Sequence, residues 1–130
     1  MTTNTTPNTT PNTAPAGAAG AVTAVTDEDF ATEVLGAGLP VLVKFTADWC
    51  PPCRMMVPVL ADIARTEAGR LKVVELDVDH NPETARRYGV LSAPTLTLFH
   101  GGEPVHSSVG ARPKRLLLRD ISEALGRESV

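Results

Sequence analysis

The most informative stretch of the chain is Trp49-Cys50-Pro51-Pro52-Cys53, which contains both of its cysteines. It lies where an apolar run gives way to a helical pattern. A residue before proline is biased towards extended geometry, and prolines fit the first turn of a helix, where N–H groups have no partner. The stretch therefore predicts a strand-to-helix junction, with Cys50 at or near the N-cap and Cys53 one turn inside the helix.

The positions of the two sulfurs predict different chemical roles. At Cys50, the free N–H groups of the first turn and the positive end of the helix dipole favour thiolate over thiol. We therefore expect Cys50 to be an accessible nucleophile. Cys53 is shielded by the helix and is suited to attack a mixed disulfide and release the reduced product. The pattern indicates a dithiol that cycles with its disulfide, and the two sulfurs carry the electrons without a metal or organic cofactor.

Other uses of a cysteine pair fit this sequence less well. A structural zinc usually takes four ligands, and the available histidines, His80, His100 and His106, lack metal-ligand spacing, so we expect no metal. A purely structural disulfide between near neighbours would constrain the unfolded chain little. A further alternative is an iron–sulfur cluster shared by two chains through their CxxC pairs, which would colour the protein.

Length and composition indicate one small domain with a low-complexity start. The chain has 130 residues and a formal net charge of −3, and its basic residues are scattered, which argues against a nucleic-acid partner. Residues 1–20 form a Thr/Asn/Pro/Ala tract that we expect to be disordered, leaving a domain of residues 21–130. No run reaches membrane-spanning length and the start lacks a secretory pattern, so we expect no membrane association and a cytoplasmic location.

The rest of the chain alternates strand and helix patterns. Strands are predicted over residues 40–47, 71–78, 95–99 and 104–109, and helices over residues 27–35, 51–67, 82–87 and 113–125. Thr26 or Asp27 is the expected cap of the first helix. The spacing of Met55, Val59, Leu60 and Ile63 predicts the buried face of the second helix.

The order of these elements predicts an α/β fold. Strands joined by helices, followed by a hairpin that turns at Gly101-Gly102, indicate a mixed sheet between helix layers. The cysteine pair then lies at the carboxyl end of a strand. That edge of such a sheet is where ligands and partners bind.

Ordered landmarks along the chain resemble the thioredoxin family over roughly residues 22–127. They are residues 41–55 with the WCPPC motif, Pro58, Asp79-His80-Asn81-Pro82, Ala93-Pro94-Thr95, residues 99–103 and Val109-Gly110-Ala111. The resemblance implies a thioredoxin fold, with a mixed five-stranded sheet flanked by four helices. It further implies a protein disulfide reductase that acts on disulfide-containing proteins and is itself reduced by a thioredoxin reductase or a similar donor. We expect a monomer.

The resemblance also implies roles for single residues. Cys50 matches the nucleophile, Cys53 matches the resolving cysteine, and Pro94 matches a cis proline that faces the cysteines. An apolar, small-residue surface for an extended partner segment is expected from Trp49, Pro51, Pro52, Ala93, Pro94, Gly110 and Ala111. A contrasting hypothesis is a binding module or scaffold that uses this surface and has weak redox activity.

Three positions depart from the family's pattern. Pro51 replaces a glycine and removes a backbone N–H that would face the Cys50 sulfur. Lys44 stands where the family buries an aspartate, and Glu75 stands where it often has a lysine, so we expect the pair with its charges exchanged. Our hypothesis is that Glu75, directly or through a water, accepts the proton of Cys53. The alternative is that Lys44 extends outward to solvent and Glu75 is solvated.

Overall fold

A computed structural model describes residues 20–126 of the chain. The expected tail of residues 1–20 therefore lies outside the described residues, apart from Gly20, and so do residues 127–130. The strands are β1 (Thr23–Ala24), β2 (Val41–Thr46), β3 (Lys72–Asp77), β4 (Thr95–His100) and β5 (Glu103–Val109). The helices are α1 (Ala31–Leu35), α2 (Pro51–Thr66), α3 (Pro82–Arg87) and α4 (Lys114–Leu125). Across residues 20–126, no helix combines the length and apolar character that a membrane crossing requires.

The strands form one mixed sheet in the order β1-β3-β2-β4-β5. The first three strands in this order are parallel, and β4 and β5 each run antiparallel to their neighbours. The predicted α/β architecture is confirmed, and each of the four strands predicted from the pattern is present. The fifth strand, β1, has two residues and is defined by its pairing with Val74 and Glu75 of β3.

The central strand β2 is covered by apolar side chains on both faces. Val41, Val43 and Phe45 point into one layer of the core, which also contains Val25, Phe30, Val34, Val74, Leu76 and Phe99. Leu42 points into the other layer, with Met56, Leu60 and Ile63 of α2 and Leu117 and Ile121 of α4. Because side chains alternate along a strand, Lys44 lies on the same face as Leu42, beneath α2.

The first helix is shorter than the pattern predicts and has a different hydrogen-bond spacing. Ala31–Leu35 forms a single π-helical segment. Thr26 and Asp29 exchange hydrogen bonds between side chain and backbone N–H, at 2.6 and 3.3 Å, in the manner of a capping box. Asp27 instead accepts hydrogen bonds from the N–H (2.9 Å) and hydroxyl (2.6 Å) of Thr84 in the first turn of α3. Neither expected residue caps the first helix, whose N-cap is Phe30 without a side-chain cap hydrogen bond. Thr26 closes the turn before this helix, and Asp27 binds the first turn of α3.

The buried face of α2 contains Leu60 and Ile63, as predicted, and Val59 is partly buried beside them. The prediction for Met55 is wrong, since it is 67% exposed, whereas Met56 is 1% exposed. The helix buries Cys53, and residues three, seven and ten positions later, which are Met56, Leu60 and Ile63, lie on the same face. The position of the cysteine pair therefore determines which side of α2 enters the core.

Candidate active site

The cysteine pair lies at the junction of β2 and α2, as predicted. Cys50 is the N-cap of α2 with extended backbone angles, φ −103° and ψ 103°, and its sulfur accepts a hydrogen bond from the Cys53 N–H at 3.2 Å. The two residues form a disulfide, with their Cα atoms 5.3 Å apart. Pro51 and Pro52 have no N–H, so within residues 20–126 Cys53 is the one backbone donor bonded to this sulfur.

Both cysteines are buried in this oxidised state. The residues are 1% and 2% exposed, so the expectation that Cys50 is accessible is wrong for the disulfide form. The carbonyl oxygen of Ala93 lies 3.4 Å from the Cys50 sulfur, and Ala93 packs against the pair together with Ala47 and Val78. A disulfide sulfur has no proton to donate, so this is a packing contact here. In the reduced state the same carbonyl is placed to accept a hydrogen bond from the Cys50 thiol.

Two loops come together beside the disulfide. The Ala93–Pro94 peptide bond is cis, as the resemblance implies, and Pro94 is buried. The Pro94 carbonyl accepts a hydrogen bond of 2.8 Å from the N–H of Gly110, whose φ of 94° is one that glycine adopts without strain. This bond holds Gly110 and the exposed Ala111 next to the segment that contacts Cys50.

Trp49 is exposed but oriented by a hydrogen bond. Its indole Nε1 donates to Asp79 Oδ2 at 2.8 Å, and 64% of the residue is exposed. Asp79 was only a sequence landmark, and its contact with Trp49 was not predicted. Leu91, 96% exposed, and Val109, 68% exposed, are also near the predicted surface residues in sequence and were missed. Their positions in the sequence were an available signal, since Leu91 lies two residues before Ala93 and Val109 directly precedes Gly110.

Lys44 and Glu75 form the expected ion pair with exchanged charges. The two residues are direct partners in the parallel register of β2 and β3, and Lys44 Nζ lies 3.5 Å from Glu75 Oε1. Nζ also donates to the carbonyl oxygen of Cys53 at 3.3 Å. The Lys44 side chain is 3% exposed and that of Glu75 is 41% exposed. Lys44 therefore does not extend outward to solvent, and its ammonium lies beneath the cysteine helix.

A cavity of about 240 Å³ is lined by both residues of this ion pair and by Cys53. This volume exceeds that of several water molecules. It connects the buried surroundings of Cys53 with the solvent-exposed carboxylate of Glu75. The lining residues are Lys44, Thr46, Ala47, Asp48, Cys53, Arg54, Val57 and Glu75.

Two of the three histidines, His80 and His106, each lie against an aspartate and not against a cysteine. His80 Nδ1 lies 3.2 Å from Asp77, and His106 Nε2 lies 3.8 Å from Asp120. Over the described part of the chain, no three His, Cys, Asp or Glu side chains are grouped so that they could hold a metal ion.

Comparison with known proteins agrees with this geometry. The thioredoxin family model matches residues 21–123. The chain belongs to the thioredoxin family. It is 54% identical over 101 residues to a thioredoxin of Mycobacterium tuberculosis, covering 78% of this chain and 87% of that protein. It is 51% identical over 107 residues to a thioredoxin of Mycolicibacterium smegmatis, covering 81% and 96% of the two chains.

Another relative joins this domain to a second one. The chain is 50% identical over 107 residues to a bifunctional thioredoxin reductase/thioredoxin of Mycobacterium leprae, covering 82% of this chain and 23% of that protein. Thioredoxins are protein-disulfide oxidoreductases, and Cys50–Cys53 forms the disulfide of such a redox centre in this chain. The protein works by thiol–disulfide exchange.

Proposed function

We propose that this thioredoxin reduces disulfides in other proteins, with Cys50 as the attacking thiol and Cys53 as the resolving thiol. The Cys50 thiolate attacks one partner sulfur, forms a mixed disulfide and releases the other partner sulfur as a thiolate. Cys53 then attacks the Cys50 sulfur, forms the intramolecular disulfide and releases the second partner thiol. Two electrons pass to the partner. The observation that carries this proposal is the N-cap position of Cys50, whose sulfur accepts a hydrogen bond from the Cys53 N–H at 3.2 Å.

The partner is proposed to lie as an extended segment over the surface next to the disulfide. The hydrogen bond between Pro94 and Gly110 supports this placement. It holds the loop of Gly110 beside the loop of Ala93, whose carbonyl oxygen contacts the Cys50 sulfur. Trp49 offers an exposed ring whose orientation is fixed by Asp79. The proposed surface comprises Trp49, Pro51, Pro52, Ala93, Pro94, Gly110 and Ala111.

Glu75 is proposed to accept the proton of Cys53 through water in the shared cavity, with Lys44 as its charged partner. The 41% exposure of the Glu75 side chain allows it to pass the proton on to solvent, and both residues line the same 240 Å³ space. Replacement of Glu75 by Gln keeps the shape and removes the acceptor. Its pH profile of insulin reduction should differ from that of the wild type, and identical profiles would remove Glu75 from the mechanism.

The cellular setting is part of the same proposal. A thioredoxin reductase or a similar donor would reduce the disulfide again, which the name of the bifunctional Mycobacterium leprae relative supports by joining the two activities in one protein. A resting dithiol suits a reducing compartment such as the cytoplasm. The edge strand β5 contains Pro104 and a register shift opposite it, which disfavours addition of another strand and supports a monomer. The proposed domain spans residues 21–130.

A trapping experiment tests the exchange mechanism. Cys53→Ser should accumulate a mixed disulfide between Cys50 and insulin, visible as a reductant-sensitive adduct, because the resolving thiol is absent. The matched variant Cys50→Ser should form little adduct. Absence of the adduct in Cys53→Ser would contradict the proposal. The contrasting function, a redox-weak binding module, would be favoured if a variant lacking both cysteines kept its partners in the presence of reductant.

A further inference from the structure

We propose that Lys44 is a positioning residue whose buried ammonium stabilises the thiolate of Cys53 when this thiol resolves the mixed disulfide. The inference rests on the proposed function, because it concerns the second of the two exchange steps. It concerns a different atom from the proton acceptor Glu75. Lys44 acts on the charge that remains on sulfur after the proton has left.

The position of the ammonium follows from the alternation of β2. Lys44 lies on the strand face beneath α2, and its Nζ donates to the Cys53 carbonyl oxygen at 3.3 Å. Within one cysteine, four bonds separate that oxygen from the sulfur, so the two atoms are at most about 5 Å apart. The Lys44 ammonium therefore lies within roughly 8 Å of the Cys53 sulfur.

Burial makes this charge stronger at Cys53 than the charge of its partner. The Lys44 side chain is 3% exposed, whereas Glu75 is 41% exposed, so water and salt screen the carboxylate more than the ammonium. Asp48 and Arg54 also line the cavity. Both are exposed, so water and salt screen their charges at the sulfur.

The chemical consequence concerns the rate of resolution. The attacking species is the thiolate, which is otherwise disfavoured in an apolar, buried setting such as that of Cys53. A nearby positive charge favours the thiolate, so a larger fraction of Cys53 is ready to attack at a given pH. The proton that leaves the sulfur passes to Glu75 or to water in the cavity, and the negative charge stays opposite Lys44.

The test isolates Cys53 in the background Cys50→Ser, where it is the only thiol of the chain. The ultraviolet absorbance of the thiolate, followed against pH, gives the midpoint at which Cys53 ionises. We expect Lys44→Met to raise this midpoint by about 1.5 pH units, which is the shift that a unit charge at roughly 8 Å produces at an effective dielectric constant of about 20. Lys44→Arg keeps the charge and should keep the midpoint near that of the background.

Glu75→Gln provides a shift of opposite sign. Removing the carboxylate leaves the ammonium without its counter-charge, so the Cys53 midpoint should fall, by less than it rises in Lys44→Met because Glu75 is more exposed. A purely structural role for Lys44 gives no such pair of opposite shifts. Lys44→Met leaves Glu75 without its partner, but the 41% exposure of the Glu75 side chain lets water solvate its carboxylate. Should Lys44→Met nevertheless fail to fold, Lys44→Gln, which also removes the charge but keeps a polar side chain, should raise the midpoint in the same direction, and an unchanged midpoint there would overturn the inference.

The outcomes separate this inference from the proposed function. A Cys53 midpoint that stays within experimental error in Lys44→Met overturns the role of Lys44, whatever Glu75→Gln shows. That result is compatible with a Cys53→Ser variant that still traps insulin, in which case exchange through Cys50 stands. Loss of trapping would instead overturn the exchange mechanism, whatever the titration shows.

Discussion

The two adjacent methionines of α2 should have very different effects on stability. Met56 is 1% exposed in the core layer shared with α4, and its sulfur accepts a hydrogen bond from the Arg112 N–H at 3.3 Å. Truncation of a buried methionine to alanine costs about 2–5 kcal/mol, and the lost hydrogen bond adds up to about 1 kcal/mol. We expect Met56→Ala to lower the free energy of unfolding by about 3–4 kcal/mol. For a domain of this size, this lowers Tm by about 12–16 °C.

Urea and thermal denaturation of the oxidised protein measure this effect against a matched control. Met55→Ala, at a residue that is 67% exposed, should change the free energy of unfolding by no more than about 0.5 kcal/mol. Met56→Leu keeps most of the volume and removes the sulfur acceptor, so it should cost less than about 1.5 kcal/mol. If Met55→Ala destabilised the protein as much as Met56→Ala, the assignment of the buried face of α2 would be refuted.

Two further predictions concern the redox pair and acid stability. Pro51→Gly adds a backbone N–H to the first turn of α2 and should change the redox equilibrium measured against glutathione; an unchanged equilibrium would make Pro51 redox-neutral. The hydrogen bond and charge of Arg112 lower the pKa of Asp120 from its ordinary value of 3.8. The stability from this ion pair is therefore present above pH 3.8 and lost as the pH falls through the lowered pKa. Urea denaturation between about pH 5 and pH 2 should show a smaller loss of stability for Asp120→Asn than for the wild type, and equal losses would contradict this role.

The backbone preferences of proline and glycine were sufficient to predict the start of α2 and the hairpin turn. The preference of Cys50 for extended backbone before Pro51 correctly placed the start of α2. Gly101 and Gly102 adopt φ of 62° and 82°, and this pair of positive angles makes the predicted hairpin turn. The two-residue strand β1 could not be located in the same way, because only its partner strand defines it. On α2, Leu60 and Ile63 were predicted correctly, but Met55 was chosen in place of Met56, since the two are equally apolar and only packing distinguishes them.

Less of the site than of the fold could be predicted from sequence, because the site is built from contacts between residues far apart in the chain. The cysteine pair and its N-cap position followed from sequence, but the burial of Cys50 depends on Ala93, which is 43 residues away. The pairing of Lys44 with Glu75 was expected from resemblance, because sequence alone does not give the register of two parallel strands. The contact between Trp49 and Asp79, 30 residues apart, gave no local signal.

The central place of β2 has a consequence for how the protein fluctuates. The strand is hydrogen-bonded to β3 on one side and to β4 on the other, and five of its six residues are buried. Brief local opening begins where hydrogen bonds are exposed and packing is sparse, which here means the outer strands β1 and β5. Amide protons of β2 should therefore exchange with solvent deuterium only through the rarest, global openings. The outer strands can open locally while β2, which leads into the cysteine pair, stays hydrogen-bonded on both sides.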